Sequence, residues 1–127
     1  MSVYFAIAVG GSFGAVSRYW VSNTTYSWLG NNFPYGTLMV NVLGSLVMGF
    51  LTVVMIQRFD FSDEIRLGII IGFLGSFTTF STFAMDSLHW IDNGAFFKAL
   101  AYIMISVIAS VLGAWAGLIA AKQLFLR

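Results

Sequence analysis

The sequence predicts an all-α membrane protein of four transmembrane helices, the third of them broken near the midplane. Three observations carry that expectation. First, 59% of the 127 residues are hydrophobic and 9% are charged, with a mean hydropathy of +0.88, which leaves too little polar surface to cover a water-soluble globule. Second, a bilayer crossing takes about 20 residues at helical rise, and four apolar stretches reach that length: Val3 to Val21, Tyr35 to Ile56, Ile65 to Ile91 and Phe96 to Lys122. Third, the segment GFLGSFTTFSTFAMD, Gly72 to Asp86, crowds hydroxyls and phenylalanines into the middle of an otherwise greasy span.

Each element has its own warrant. The first stretch has no basic start and carries Arg18 toward its far end, so it is expected to be a retained span, not a cleaved signal. Ser22 to Pro34 is polar and holds the only proline, Gln57 to Glu64 is charged, and Asp92-Asn93-Gly94 is a turn signal. No soluble domain fits between these stretches, and residues 1–127 are expected to form one transmembrane domain. Gly10-xxx-Gly14, Gly68-xxx-Gly72 and Gly113-xxx-Gly117 put small residues on single helix faces, where neighbouring backbones can approach closely. The third stretch, as one continuous helix, would be about 40 Å long at 1.5 Å per residue, against a hydrocarbon core of about 30 Å. Gly72, Gly75 and the run Ser76 to Thr82 supply a break, because glycine weakens a helix and hydroxyls compete for its carbonyls. The alternative is an unbroken helix with its hydroxyls bonded back to its own carbonyls.

Other function classes are poorly served. A formal charge of +1 offers no basic stripe for nucleic acid. With no cysteine, there is neither a disulfide framework nor a thiolate metal site.

The polar groups inside the spans have a common character. Asn41, in GTLMVNVLG, offers two donors and an acceptor that lipid cannot satisfy. Tyr102, Ser106 and Ser110 recur every four residues and form a ladder of hydroxyls on one helical face. All of these can donate, and no acidic residue lies in the first, second or fourth stretch. Such a lining suits a small anion better than a cation. Phe80 and Phe83, three apart on one face, can turn electropositive ring edges to the same route. Each feature also has a plainer use: an interhelical hydrogen bond for Asn41, small-residue packing for the ladder, and ordinary core or lipid-facing rings for the phenylalanines.

The segments GTLMVNVLG and GFLGSFTTFSTF, with Gly10-Gly11-xx-Gly14 and Arg18 ahead of them, resemble the Fluc (CrcB) family of fluoride channels. The likeness covers essentially the whole chain. It implies an antiparallel, dual-topology homodimer in the bacterial inner (plasma) membrane, conducting fluoride through two pores at the subunit interface. It assigns Asn41, Phe80 and Phe83 to the pore, with Tyr102, Ser106 and Ser110 as its polar track and Ser81 and Thr82 as further pore hydroxyls. Arg18 corresponds to a vestibule arginine that draws in anions, although as a side chain near a helix end it also reads as a snorkelling anchor. Gly75 and Thr78 stand where main-chain carbonyls of both subunits hold a structural sodium ion (Na+). Ser76 replaces a second glycine there, a departure of small consequence if main chain binds the ion. No catalysis is implied.

With four spans, Arg58, Arg66, Lys122 and Arg127 share a side against Arg18 and Lys98 on the other. Orientation follows lysine and arginine, and so small an excess leaves both insertions open. Asp86 is expected to be solvated or capping, since a carboxylate would repel the proposed ion, and His89, Trp90, Trp20, Trp28 and Trp115 read as interfacial anchors. The main rival is a small multidrug-type exchanger of cations for protons, which ordinarily needs a carboxylate in its first span; that span has none. An accessory subunit of a larger membrane complex would explain the glycines but not the donor ladder.

Overall fold

The computed structural model describes residues 2–125. Among them every regular element is helical: α1 (Ser2–Leu29), α2 (Tyr35–Thr52), α3 (Asp63–Leu67), α4 (Gly75–Phe77), α5 (Phe80–Asp92) and α6 (Phe96–Phe125). A π-helical stretch, Val53–Arg58, continues α2, and a second, Gly68–Leu74, joins α3 to α4.

Three helical stretches are long and apolar enough to cross a membrane, namely Tyr35–Arg58, Asp63–Asp92 and Phe96–Phe125. Four were expected. The remaining helix, α1, has the length at 28 residues, but Ser12, Ser17, Arg18, Ser22 and Asn23 dilute its apolar content. It also runs past the expected end at Val21. Nothing between Ser22 and Leu29 is a proline or glycine, so the helix continues until Gly30, whose φ of 81° closes it in the left-handed conformation that glycine adopts without strain. Only Gly30 to Pro34 is therefore a loop. Gly94, at φ 74°, ends α5 in the same way within the expected turn.

Helix packing follows the glycines. A Cβ on Gly10 or Gly14 of α1 would meet the main-chain carbonyls of Gly68 and Phe73, so these faces touch backbone to backbone. The same holds between α2 and α6, where Gly49 abuts the Ala114 carbonyl and Gly117 the Leu46 carbonyl. Backbones that approach this closely gain dispersion contacts without needing a hydrophobic driving force. The fully buried side chains are few, led by Tyr102, Leu74, Val40 and Val53. The outward surface is correspondingly apolar: Phe5, Phe13, Val16, Val111 and Trp115 all stand exposed, as do Trp20 and Trp28. Its natural solvent is hydrocarbon.

The third span breaks in its middle. Thr78 (φ −81°, ψ 160°) and Thr79 (φ −150°, ψ 110°) are extended between α4 and α5, within the expected Ser76 to Thr82 run. The unbroken alternative is thereby set aside.

Candidate functional site

The break costs the main chain its regular partners, and side chains replace them. Asn41 of α2 faces the break and exchanges two hydrogen bonds with Thr79: Nδ2 donates to the Thr79 carbonyl at 3.0 Å, and the Thr79 N–H donates to Oδ1 at 2.7 Å. The Thr79 hydroxyl caps α5 by accepting from the Thr82 N–H at 3.1 Å, and it donates to the Thr82 hydroxyl at 2.9 Å. The Thr78 N–H and hydroxyl both reach the Leu74 carbonyl, at 3.1 and 3.0 Å. One Asn41 amide hydrogen is left over after the exchange.

That amide looks into a groove of about 370 Å³ between α2, the break and α6. The groove brings together Asn41, Phe80, Phe83, Ser106 and Ser110 of the expected residues, along with Thr78. The two phenylalanine rings lie 5.4 Å apart at 49°. Phe83 is 9% exposed and Phe80 78% exposed, so one ring is part of the fold and the other projects from it. Ser106 is 5% exposed, and its Oγ is buried without a hydrogen-bond partner.

Other expected residues lie elsewhere. Tyr102 is buried behind the groove, its ring 5.4 Å from that of Phe83 and its hydroxyl donating to Asp86 Oδ2 at 3.3 Å. Ser81 and Thr82 are exposed and do not line the groove. Arg18 is half-buried in the body of α1, away from the groove. It is not at a helix end, because α1 runs on to Leu29. Among the described residues the only ion pair joins Arg66 to Asp63, so Arg18 has no carboxylate partner. Gly75 is exposed, and no hydrogen bond among the described residues ends on its carbonyl or that of Thr78: the Thr79 N–H is taken by Asn41 and the Thr82 N–H by the Thr79 hydroxyl.

Asp86 corrects its expectation as a solvated or capping group. Its Oδ2 accepts from Thr37 of α2 at 2.8 Å and from Tyr102 of α6, tying three helices together. It borders a second, smaller cavity with Tyr26, Asn31, Phe33, His89 and Trp90. Trp90 is likewise no free anchor, since its ring packs at 5.4 Å from Phe33 and 6.1 Å from Tyr102.

The sequence reasoning missed Thr37 and Ser45, although a signal existed. Thr37, Asn41 and Ser45 recur every four residues on α2, the same step that marks Tyr102, Ser106 and Ser110 on α6. Ser45 also lines the groove.

Comparison with known proteins adds an independent line. The protein-family model described as "CrcB-like protein, Camphor Resistance (CrcB)" matches residues 5–118. A Geobacter sulfurreducens protein named fluoride-specific ion channel FluC is 43% identical over 124 residues, covering 98% of this chain and all of its own length. One of the same name from Hydrogenovibrio crunogenus is 42% identical, covering 94% of this chain and 91% of its own length. A third, from Methylococcus capsulatus, is 48% identical over 94% of this chain, which spans about half of that relative's length (53%).

Proposed function

The chain belongs to the CrcB-like family, and on that premise we propose that it is a fluoride-selective channel. It is a multi-pass membrane protein of a family whose relatives are named as ion channels. The observation that carries the proposal is the groove, in which a spare amide hydrogen, two phenylalanine rings and unpartnered hydroxyls line one apolar trough. Fluoride is small and strongly hydrated, so it enters such a trough only where donors replace water, spaced so that no single site holds it too long. The acidic side chain in the body of the third span stays out of the way, because Asp86 is engaged by Thr37 and Tyr102 outside the groove.

In the proposed assembly, α1 completes a set of four spans and two oppositely inserted copies pair about a two-fold axis in the membrane plane. Each copy would close the open side of the other's groove, giving two pores. The exposure of Phe80 supports this, since a ring that projects from one subunit is available to line a route in the pair. At the same interface we place Na+, held by the carbonyls of Gly75 and Thr78 from both subunits. The main-chain oxygens fit that role because neither has an internal donor, and dipoles of one sign gathered in a dry site are stabilised by a cation among them. The ion would act as a staple. The location is the bacterial plasma membrane, where an inside-negative potential drives the anion outward.

The test is release of trapped fluoride from liposomes holding the purified protein. Release well above that of protein-free liposomes supports the channel; uptake of a cationic dye without fluoride release would move the protein to the exchanger class.

A further inference from the structure

We propose that Ser45 is a fluoride-donating residue on the wall facing Ser106 and Ser110, so that the groove carries a donor ladder on each side and not on α6 alone. The inference rests on the channel reading above and adds a residue to it.

Two facing helix surfaces carry the inference. Thr37, Asn41 and Ser45 ascend α2 at the same four-residue step by which Tyr102, Ser106 and Ser110 ascend α6, and residues at that step share a helical face. The two faces are fixed opposite one another at both ends. At one end Thr37 and Tyr102 donate to the same oxygen, Asp86 Oδ2, at 2.8 and 3.3 Å. At the other end Gly49 abuts the carbonyl of Ala114. Between these ends Asn41 and Ser45 of α2, and Ser106 and Ser110 of α6, all line the groove.

Hydrogen bonding leaves these groove hydroxyls free to meet a ligand. A hydroxyl with nothing better to do in an apolar helix donates to the carbonyl one turn back. Ser12, Thr52 and Ser87 do so, at 2.9, 2.7 and 2.8 Å. Ser45, Ser106 and Ser110 make no such bond, nor any other among the described residues, and the buried Ser106 Oγ has no partner at all. A buried donor without a partner, such as the Ser106 Oγ, is costly unless a ligand or water reaches it. An anion between α2 and α6 satisfies both walls at once, and Asn41 and Ser45 hand it along α2 as Ser106 and Ser110 do along α6.

The experiment compares Ser45→Thr with Ser45→Val, which share size and differ in the hydroxyl, and adds Ser45→Ala as the variant least able to disturb packing. Assembly is checked by gel filtration, and initial fluoride efflux is measured well below saturation. A hydrogen bond to an ion corresponds to roughly a tenfold effect or more, so Ala and Val should lose roughly tenfold while Thr stays near wild type. Wild-type rates in Ala and Val would overturn the proposal and return Ser45 to packing. Failure of the wild-type protein itself to release fluoride would instead overturn the channel reading.

Discussion

Asn41 and Thr79 are joined twice, amide to carbonyl at 3.0 Å and N–H to amide oxygen at 2.7 Å, so one side chain of α2 takes the place of the helical bonds that the break removes. Asn41→Ala would orphan both main-chain groups of the largely buried Thr79. At about 1–3 kcal/mol for each buried group left unpaired, the variant should lose about 2 kcal/mol or more of stability as well as fluoride flux. Asn41→Asp keeps the acceptor, loses the donor and sets a carboxylate in the groove, so flux should fall further than stability does. Denaturation in detergent alongside efflux checks both.

The two phenylalanines should separate under the same substitution. Phe80 is 78% exposed in the chain, whereas Phe83 is 9% exposed and packs on Tyr102. Phe80→Ile is expected to alter subunit stability by less than about 0.5 kcal/mol, and Phe83→Ile to cost about 1 kcal/mol. Both should reduce fluoride flux, by roughly fivefold if each ring edge contributes about 1 kcal/mol. Wild-type flux in both would make the rings packing elements only.

Much of this arrangement was legible beforehand, and the omissions have physical causes. Asn41, Phe80, Phe83, Ser106 and Ser110 could be singled out because a donor in an apolar run, or a fixed helical step, is visible in one dimension. Their meeting in one groove depends on α2 packing against α6; Gly113 and Gly117 mark a close-packing face on α6 but not the helix that meets it. The role of Asp86 is hidden from the sequence because the carboxylate's partners, Thr37 and Tyr102, lie 49 and 16 positions away. The polar stretch Ser22 to Pro34 suggests that α1 ends soon after Arg18, yet polarity alone does not stop a helix; Gly30 does. Ser81 and Thr82 share a hydroxyl run with Thr79, but the turn of α5 carries them away from the groove.

The glycines give a steric contrast. A side chain at Gly117 would collide with the Leu46 carbonyl, whereas at Gly75 the nearest atom, the Ile70 carbonyl oxygen, is 3.9 Å away. Gly117→Val should therefore separate α2 from α6 and cost about 2–3 kcal/mol, visible as a lowered unfolding midpoint. Gly75→Ala should leave the isolated fold intact. If the Gly75 carbonyls hold Na+ between two copies, exhaustive replacement of sodium by a large organic cation should weaken the dimer, and an unchanged dimer would remove the ion from the account.

The hydroxyl of Tyr102 and the carboxyl group of Asp86 form a bond of 3.3 Å, longer than that from Thr37 at 2.8 Å. Tyr102→Phe should consequently cost no more than about 1 kcal/mol. Asp86→Ala, which orphans two hydroxyls at once, should cost roughly twice as much in the same unfolding measurement. Equal stability in the two variants would mean that Asp86 does not tie the helices together.

The most direct measurement is anion efflux from liposomes containing the purified protein, with fluoride and chloride recorded in parallel under the same potassium gradient. A groove whose donors replace the water of one small, strongly hydrated ion predicts rapid fluoride release with chloride release at the protein-free level. Equal release of the two anions, or none of either, would contradict it.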